Sequence, residues 1–362
     1  MAKWQTKKLG EVVTLKRGYD LPQQRRQPGN VPIYSSSGIS GFHSKAMLDG
    51  PGVITGRYGT IGEVFFSSGH YWPLNTTLYV EDFHNNDPLF VYYFLKQIEW
   101  QQFLSASAVP GINRNTVHKA EVTVPDYDTQ RQIASILNSI DAKIVCNQEI
   151  NDNLLQQLQA IYQAKFGKNT VAADSLGLLS DICCYSQRRI AVTDLSLETY
   201  YSTENMLPEK AGAVMASSLP TTAQAVGCIP GDVLVSNIRP YFKKILYCSA
   251  SCGCSNDVLC FEPSNAELSA FLFSTLFDDR FFDYMVAGSK GTKMPRGDKQ
   301  QIMAYPIVVP ATNELLAFNE IARPILAKAD AIKGENKRLS ELRDALLPRL
   351  ISGEIDVSEV ST

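Results

Sequence analysis

The sequence contains no run of about 18 apolar residues, so it offers no membrane-spanning helix. Its opening Met-Ala-Lys-Trp-Gln-Thr-Lys-Lys has charge with no apolar stretch behind it, unlike a secretory signal, and the expected compartment is the cytoplasm. Net charge is also small: 34 Lys and Arg against 37 Asp and Glu leave −3, which excludes a global positive field. Only local clusters remain to attract an anion. Arg239, Lys243 and Lys244 lie in a stretch without an acid, and Lys290, Lys293, Arg296 and Lys299 face Asp298 alone. Histidine is scarce, and His43, His70, His84 and His118 stand at no recognisable spacing from a nucleophile. A dinucleotide fingerprint, a phosphate-cradling Gly-x-x-x-x-Gly-Lys loop and a paired-His metal motif are all missing.

Two fragments imitate catalytic motifs. Asp87-Pro88-Leu89-Phe90 lacks the second proline of an amino-methyltransferase motif and reads as a helix start with Pro in its first turn. Asp126 and Asp141 mimic a nuclease pattern, but Asp141 falls on the flank of a helical seam, where an ion pair is the usual role. Of eight cysteines, seven follow residue 180. The group Cys248, Cys252 and Cys254 lacks Cys-x-x-Cys spacing and a nearby His, so core thiols are expected rather than a zinc site, and no metal is assigned.

What the chain does have is a repeat. Leu9 aligns with Leu179, Val53 with Val233, Pro125 with Pro310, Asp141 with Asp330 and Asn147 with Asn336, at an offset that grows in small steps. At 362 residues and 44% hydrophobic content, two cores can be buried. Short strands (53–55, 63–66 and 77–80, then 231–235, 245–247 and 258–261) are punctuated by Gly and Pro, with Tyr34 to Gly38 a turn. An aromatic helix is predicted over 88–103, with Tyr92, Phe94, Leu95, Ile98 and Phe103 in the core, and its counterpart over 268–284. Ile133, Leu137, Ile140, Ile144, Asn147, Asn151, Leu154, Leu158 and Ile161 then recur at alternating fours and threes, the period of a coiled-coil seam. Asp128 or Thr129 is the expected N-cap, and 166–173 the linker. Ile325, Ala329, Ile332, Asn336, Leu339 and Leu346 form a similar stripe, with a break expected near Ala322 because of Pro324 and an end at Pro348 and Gly353. Each helix, about 35 residues and about 50 Å long, needs a partner. Pairing them antiparallel brings Asn147 and Asn336 to the crossing, where buried amides would fix the register.

The fold class expected is therefore mixed α/β (α+β). It comprises a domain at 1–128, a helix at 129–168, a second domain at 169–311, and a helix and tail at 312–362. The helices pair as an antiparallel coiled coil with pseudo-twofold symmetry.

Several stretches resemble the specificity subunit of type I restriction-modification systems. They are Leu339 to Ile355, Gln130 to Leu137 with Asp141 and Ile144, Gly52 to Gly59, and Gly231 to Leu234 continuing through Ile238-Arg239-Pro240. The resemblance implies two target-recognition domains, each reading half of a bipartite site in double-stranded DNA, with the helices as a ruler between them. It implies no catalysis and no cofactor in this chain. DNA methyltransferase subunits, which would carry S-adenosylmethionine, dock on the helices, and a nuclease-translocase subunit can join. A second reading is a duplicated protein–protein interaction scaffold without DNA readout.

Side chains that read base edges sit best on Gly-rich turns, with Arg suited to guanine and Asn to adenine. In the first domain the candidates are Arg57, Tyr58 and Thr60, with Asn113 and Arg114 after Pro110-Gly111. In the second they are Asn237, Arg239 and Tyr241 for bases, with Lys243, Lys244, Lys290, Lys293 and Arg296 completing the set, the lysines for phosphate.

Overall fold

The computed structural model describes residues 3–104, 110–167 and 176–357. The chain forms two compact units, one of Met1–Cys146 with Asn336–Thr362 and the other of Asn147–Glu335.

The first unit opens with β1 (Gln5–Lys8), α1 (Leu9–Val12) and β2 (Thr14–Arg17). A hairpin follows, β3 (Val31–Ser35) and β4 (Gly38–His43), turned at Ser36-Ser37 with Gly38 at φ +101°. Next come β5 (Gly52–Gly56), β6 (Val64–Ser67), β7 (Trp72–Pro73) and β8 (Thr77–Asp82). The main sheet has the order β2-β8-β5-β6, and β4-β3-β7 makes a smaller one. Period-2 alternation sorts the side chains between two cores. Val53, Leu78 and Val80 pack with Phe90, Val91, Phe94 and Leu95 of α2 (Pro88–Lys96). Ile54 and Tyr79 point the other way, onto Tyr34 and Tyr71. The helix predicted over 88–103 is shorter than expected: α2 stops at Lys96, and Trp100–Phe103 forms one separate 3-10 turn. The short α3 (Arg114–Val117) and β9 (Glu121–Val124) close the unit, β9 pairing with β1.

The chain then enters α4 (Tyr127–Phe166). Its cap is Asp126, not Asp128 or Thr129: the Asp126 carboxylate accepts from Thr129 N at 3.1 Å and Lys3 N at 2.9 Å, and these bonds hold its pKa below the usual range. Ile133, Leu137 and Ile140 are buried, as the seam requires. In the same core lie Leu347, Leu350 and Ile351 of the C-terminal helix, Thr312–Ile351. Asp141 accepts from Arg343 at 2.8 Å and from the Tyr93 hydroxyl at 2.7 Å, and Asn336 donates to the Ile144 carbonyl at 3.2 Å. As one helix number rises the other falls, so the two segments run antiparallel within this unit.

His118 joins β2 to α3 in this unit, accepting from Leu15 N at 2.9 Å through Nε2. Burial, then Arg114 and His84, lower its pKa. A depressed histidine stabilises the fold above its unfolded pKa near 6.5, and that stability is lost as pH falls through the folded value. Thermal stability of the first unit is expected to decline between pH 7 and pH 5 in wild type, and less in His118→Gln; identical pH profiles would contradict this.

The second unit repeats the plan. After β10 (Leu176–Leu178) come β11 (Cys183–Tyr185), β12 (Arg189–Ala191), β13 (Tyr200–Tyr201), β14 (Gln224–Cys228), β15 (Val233–Ser236), β16 (Ile245–Tyr247), β17 (Cys252–Cys254) and β18 (Val258–Pro263). The sheet β11-β18-β15-β16 matches β2-β8-β5-β6 strand for strand. The order β12-β14-β17-β13 gives the smaller sheet here four strands. The expected single helix over 268–284 is two, α5 (Ser269–Phe277) and α6 (Asp279–Ala287), because Asp278 is extended and caps Arg280 N at 2.9 Å. The unit then continues through α7 (Lys299–Met303) and β19 (Pro306–Val308), which pairs with β10. Cys228, Cys248, Cys252, Cys254 and Cys260 cluster with Met206 and Leu234 as buried free thiols. Among the described residues, no group of three His, Cys, Asp or Glu could hold a metal ion.

The second long helix, α8 (Thr312–Ile351), is as long as α4, 40 residues each, and both exceed the expected length. No break occurs at Pro324 and no end at Pro348. Both prolines are exposed, so water can take up the carbonyls they release, while Ala322, Leu326, Leu347 and Leu350 hold the inner face. The stop comes at Gly353, in a left-handed conformation. Phe166 is the last residue of α4 rather than linker, buried against Phe318 at 5.5 Å and Phe271 at 5.0 Å; the linker residues 168–173 lie outside the described residues. Asn147 donates to Glu335 at 3.1 Å. With Phe166 facing Phe318, the helix segments run antiparallel in this unit too. Gln130 and Asn319, buried amides near the two helix starts, stand at the same separation as Asn147 and Asn336 and tie each helix to its neighbouring loop.

Candidate nucleic-acid interface

In the first unit, three segments far apart in sequence meet around a cleft of about 510 Å³. The end of β2 supplies Lys16 and Arg17, the turn after β5 supplies Arg57 and Tyr58, and the loop into α3 with the start of that helix supplies Gly111 through Asn115. The lining carries four cations and no acid. Glu81 stands beside Lys16 and raises the pKa of its ammonium. The backbone fixes the arrangement: Tyr58 and Gly111 form a β-bridge, and Ile112 N donates to Arg57 O at 3.1 Å. A Cβ at Gly111 would meet the Tyr58 ring at 2.2 Å, so only glycine allows this approach. The Arg57 guanidinium lies 4.6 Å from the Tyr58 ring centre, a cation–π contact that orients its donors. Asn113 caps α3, accepting from Asn115 N at 3.0 Å, and leaves Arg114 exposed. Thr60 is exposed in the same turn as Arg57 but is not among the cleft residues.

The second unit builds a related edge with different chemistry. The turn after β15 carries Asn237 and Arg239, and Ile238 bridges Arg296 as Tyr58 bridges Gly111. Arg239 N donates to Pro295 O at 2.8 Å and Gly297 N to Asn237 O at 3.2 Å. Asn237 is buried, with Oδ1 lacking a hydrogen-bond partner. Tyr241 is exposed. Several cations here are already paired: Lys243 with Asp279 at 3.0 Å, Lys290 with Asp298 at 2.6 Å and Arg296 with Asp257 at 3.0 Å. Lys244 donates to the Thr203 carbonyl, and burial lowers its pKa. Lys293 is exposed. The structure thus brings Arg57, Tyr58, Asn113 and Arg114 into one cleft, and Asn237, Arg239, Lys290 and Arg296 onto one backbone-linked edge. Sequence reading missed Lys16, Arg17 and Asn115. The adjacent cations before Gly18 were the available signal, hidden by about forty residues of separation from Arg57.

Residues 1–156 match the family model described as the type I restriction modification DNA specificity domain. That match takes in 156 of the 362 residues, the part that holds the Arg57 cleft and most of α4. Among similar proteins, the type I restriction enzyme EcoprrI specificity subunit of Escherichia coli is 23% identical over 141 residues, 37% of this chain and 35% of that protein. The match therefore spans about a third of that relative's length. The HindI specificity subunit of Haemophilus influenzae is 20% identical over 332 residues, 68% of this chain and 71% of that one. A type I restriction-modification S subunit from M. genitalium shares the fold, with a TM-score of 0.59 at 17% identity over 96% of both chains. No helix among the described residues is long and apolar enough to cross a membrane.

Proposed function

We propose that this chain is a non-catalytic DNA-reading subunit, each unit taking one half of a bipartite double-stranded target. The observation that carries the reading is the doubled edge. The same four-stranded sheet occurs twice, and each copy places an Arg in a turn bridged to a distant loop, with Asn113 in that loop in the first unit and Asn237 within the turn in the second. Arg and Asn there suit guanine and adenine edges, and Lys16, Arg17 and Arg114 suit phosphate. The two domains, 1–128 and 169–311, are joined by α4 and α8 acting as an antiparallel coiled coil, with Asn147 and Asn336 fixing the register and pseudo-twofold symmetry relating the halves. The antiparallel contacts within each unit support this. Helices of 40 residues, about 60 Å, are long enough to space half-sites about one DNA turn apart. DNA methyltransferase subunits dock on exposed helix faces such as that of Leu342, and a nuclease-translocase subunit completes the restriction assembly. The chain itself holds no cofactor; S-adenosylmethionine and the methylation chemistry belong to the methyltransferase.

The test is target binding by the chain purified with its methyltransferase. Arg57→Ala and Arg239→Ala should each weaken binding by about 5- to 150-fold, each relaxing base preference in a different half-site. Unchanged preference in both variants would remove the assignment. Affinity should also fall by about 10³ to 10⁵ between 50 and 200 mM salt if 6 to 10 phosphates are contacted. A salt-independent affinity, or capture of a protein in place of DNA, would favour the scaffold reading.

A further inference from the structure

Six non-glycine residues among those described have a left-handed backbone, and four of them, Glu209, Lys210, Arg239 and Lys243, meet in one patch of the second unit. Such conformations persist only where the surroundings enforce them, and they cluster at functional sites. The enforcement here is explicit. Glu209 N donates to Phe242 O at 2.8 Å and Lys210 N to Lys243 O at 3.0 Å, zipping one loop to the other. Inside the turn, Phe242 N donates to Arg239 O and Lys243 N to Pro240 O, both at 2.9 Å. Asp279 clamps both loops, with Oδ1 2.8 Å from Lys210 Nζ and 3.0 Å from Lys243 Nζ.

This scaffold presents two aromatic rings. Tyr241 is 45% exposed and Phe242 37%, with ring centres 4.7 Å apart. Neither belongs to a hydrophobic core of the unit. A connecting turn needs neither exposed rings nor left-handed residues at both ends. Cations stand close to the rings: Lys244 Nζ lies 5.8 Å from the Phe242 ring, and Arg239 has a buried Nε without a hydrogen-bond partner. The bond from Arg239 N to Pro295 O also makes the turn continuous with the proposed DNA edge.

We propose that the Arg239–Lys243 turn is a rigid aromatic wedge that enters the duplex at the second half-site and partly unstacks one base-pair step. This rests on the DNA-reading function above and names what one part of that surface does. Insertion of apolar side chains opposes base stacking, so the wedge must not fold away under load. The zipped backbone and the Asp279 clamp supply that stiffness, and pre-organisation leaves little ordering entropy to lose on binding. Tyr241 thereby acquires a stacking role in place of a hydrogen-bonding one, and Phe242 joins the contact set.

The test uses the full chain with its methyltransferase subunits and the target duplex defined by methylation-aware sequencing. The duplex carries 2-aminopurine at adenines other than the methylated ones, and thymines are probed with permanganate. Binding of wild type should brighten 2-aminopurine several-fold, or raise permanganate reactivity, at one step of the second half-site. Tyr241→Ala/Phe242→Ala should abolish that signal, weaken binding by about 10- to 100-fold, and leave thermal stability unchanged, since both rings are exposed. Asp279→Asn, which loosens the clamp while keeping both rings, should reduce the signal. Specific binding with no unstacked step, or a signal equal in the double variant, would overturn the wedge alone. Absence of any sequence-specific binding by wild type would overturn the DNA reading and the wedge with it. Loss of capture of a protein by the double variant, with DNA affinity intact, would assign the rings to a protein partner and likewise overturn it.

Discussion

Gly111→Ala is expected to weaken target binding by roughly 100-fold or more, because losing the two base contacts proposed for Arg57 and Tyr58, worth about 1–3 kcal/mol each, adds to that order. The added carbon would lie 2.2 and 2.6 Å from Tyr58 ring atoms. The β-bridge between Tyr58 and Gly111 holds the two backbones together, so the ring itself must move. Moving it takes away the face against which the Arg57 guanidinium is held at 4.6 Å. One methyl group therefore disables two side chains that it does not replace. The measurement is affinity for the target duplex, with circular dichroism to confirm that the unit is folded. Wild-type affinity in Gly111→Ala would show that the cleft is not where the first half-site is read.

Phe318→Ala is expected to cost the second unit about 3–5 kcal/mol, the range for deleting a buried phenyl ring. Phe318 is 0% exposed, and its ring centre lies 5.5 Å from Phe166 and 6.3 Å from Tyr162. These residues come from α8 and α4, yet they share one core with Phe271 of α5 and Val233 of β15. The helix segments are thus part of the unit's core rather than detachable spacers. Chemical denaturation followed by a probe in the second unit measures the loss. A change below about 1 kcal/mol would mean that the helix can leave without disturbing the sheet.

The features readable in the sequence were those carried by a long, regular period. The seam from Ile133 to Leu158 is buried or half-buried at each position its spacing marks, because a helix repeats its geometry for 40 residues. Strands β5, β8, β15 and β18 were visible because their apolar runs fill central positions between two packed layers. The small sheets were not. Strands such as β7 and β13, two residues each, carry too little pattern, and β3 holds a proline and an irregular register. Pro324 misled for a related reason: sequence shows the lost hydrogen bond but not that the helix face around it is exposed. Of the candidate residues, Arg57, Tyr58, Asn113 and Arg114 share one cleft, and Asn237, Arg239, Lys290 and Arg296 one backbone-linked edge. Lys16 and Arg17 were missed because two strand pairings, β2 with β8 and β8 with β5, bring them to Arg57, and no local pattern records a pairing partner. Five of the cysteines, Cys228, Cys248, Cys252, Cys254 and Cys260, cluster as buried free thiols in a sulfur-rich core, where strand pairing sets Cys228 opposite Cys252, while Cys146 and Cys184 are exposed.

The most direct measurement is methylation-aware sequencing of DNA from cells that express this chain together with its proposed methyltransferase partner. The account predicts one motif of two short specified blocks separated by an unspecified gap of fixed length, with Arg57→Ala loosening one block and Arg239→Ala the other. A contiguous motif, or methylation with no sequence preference, would contradict it.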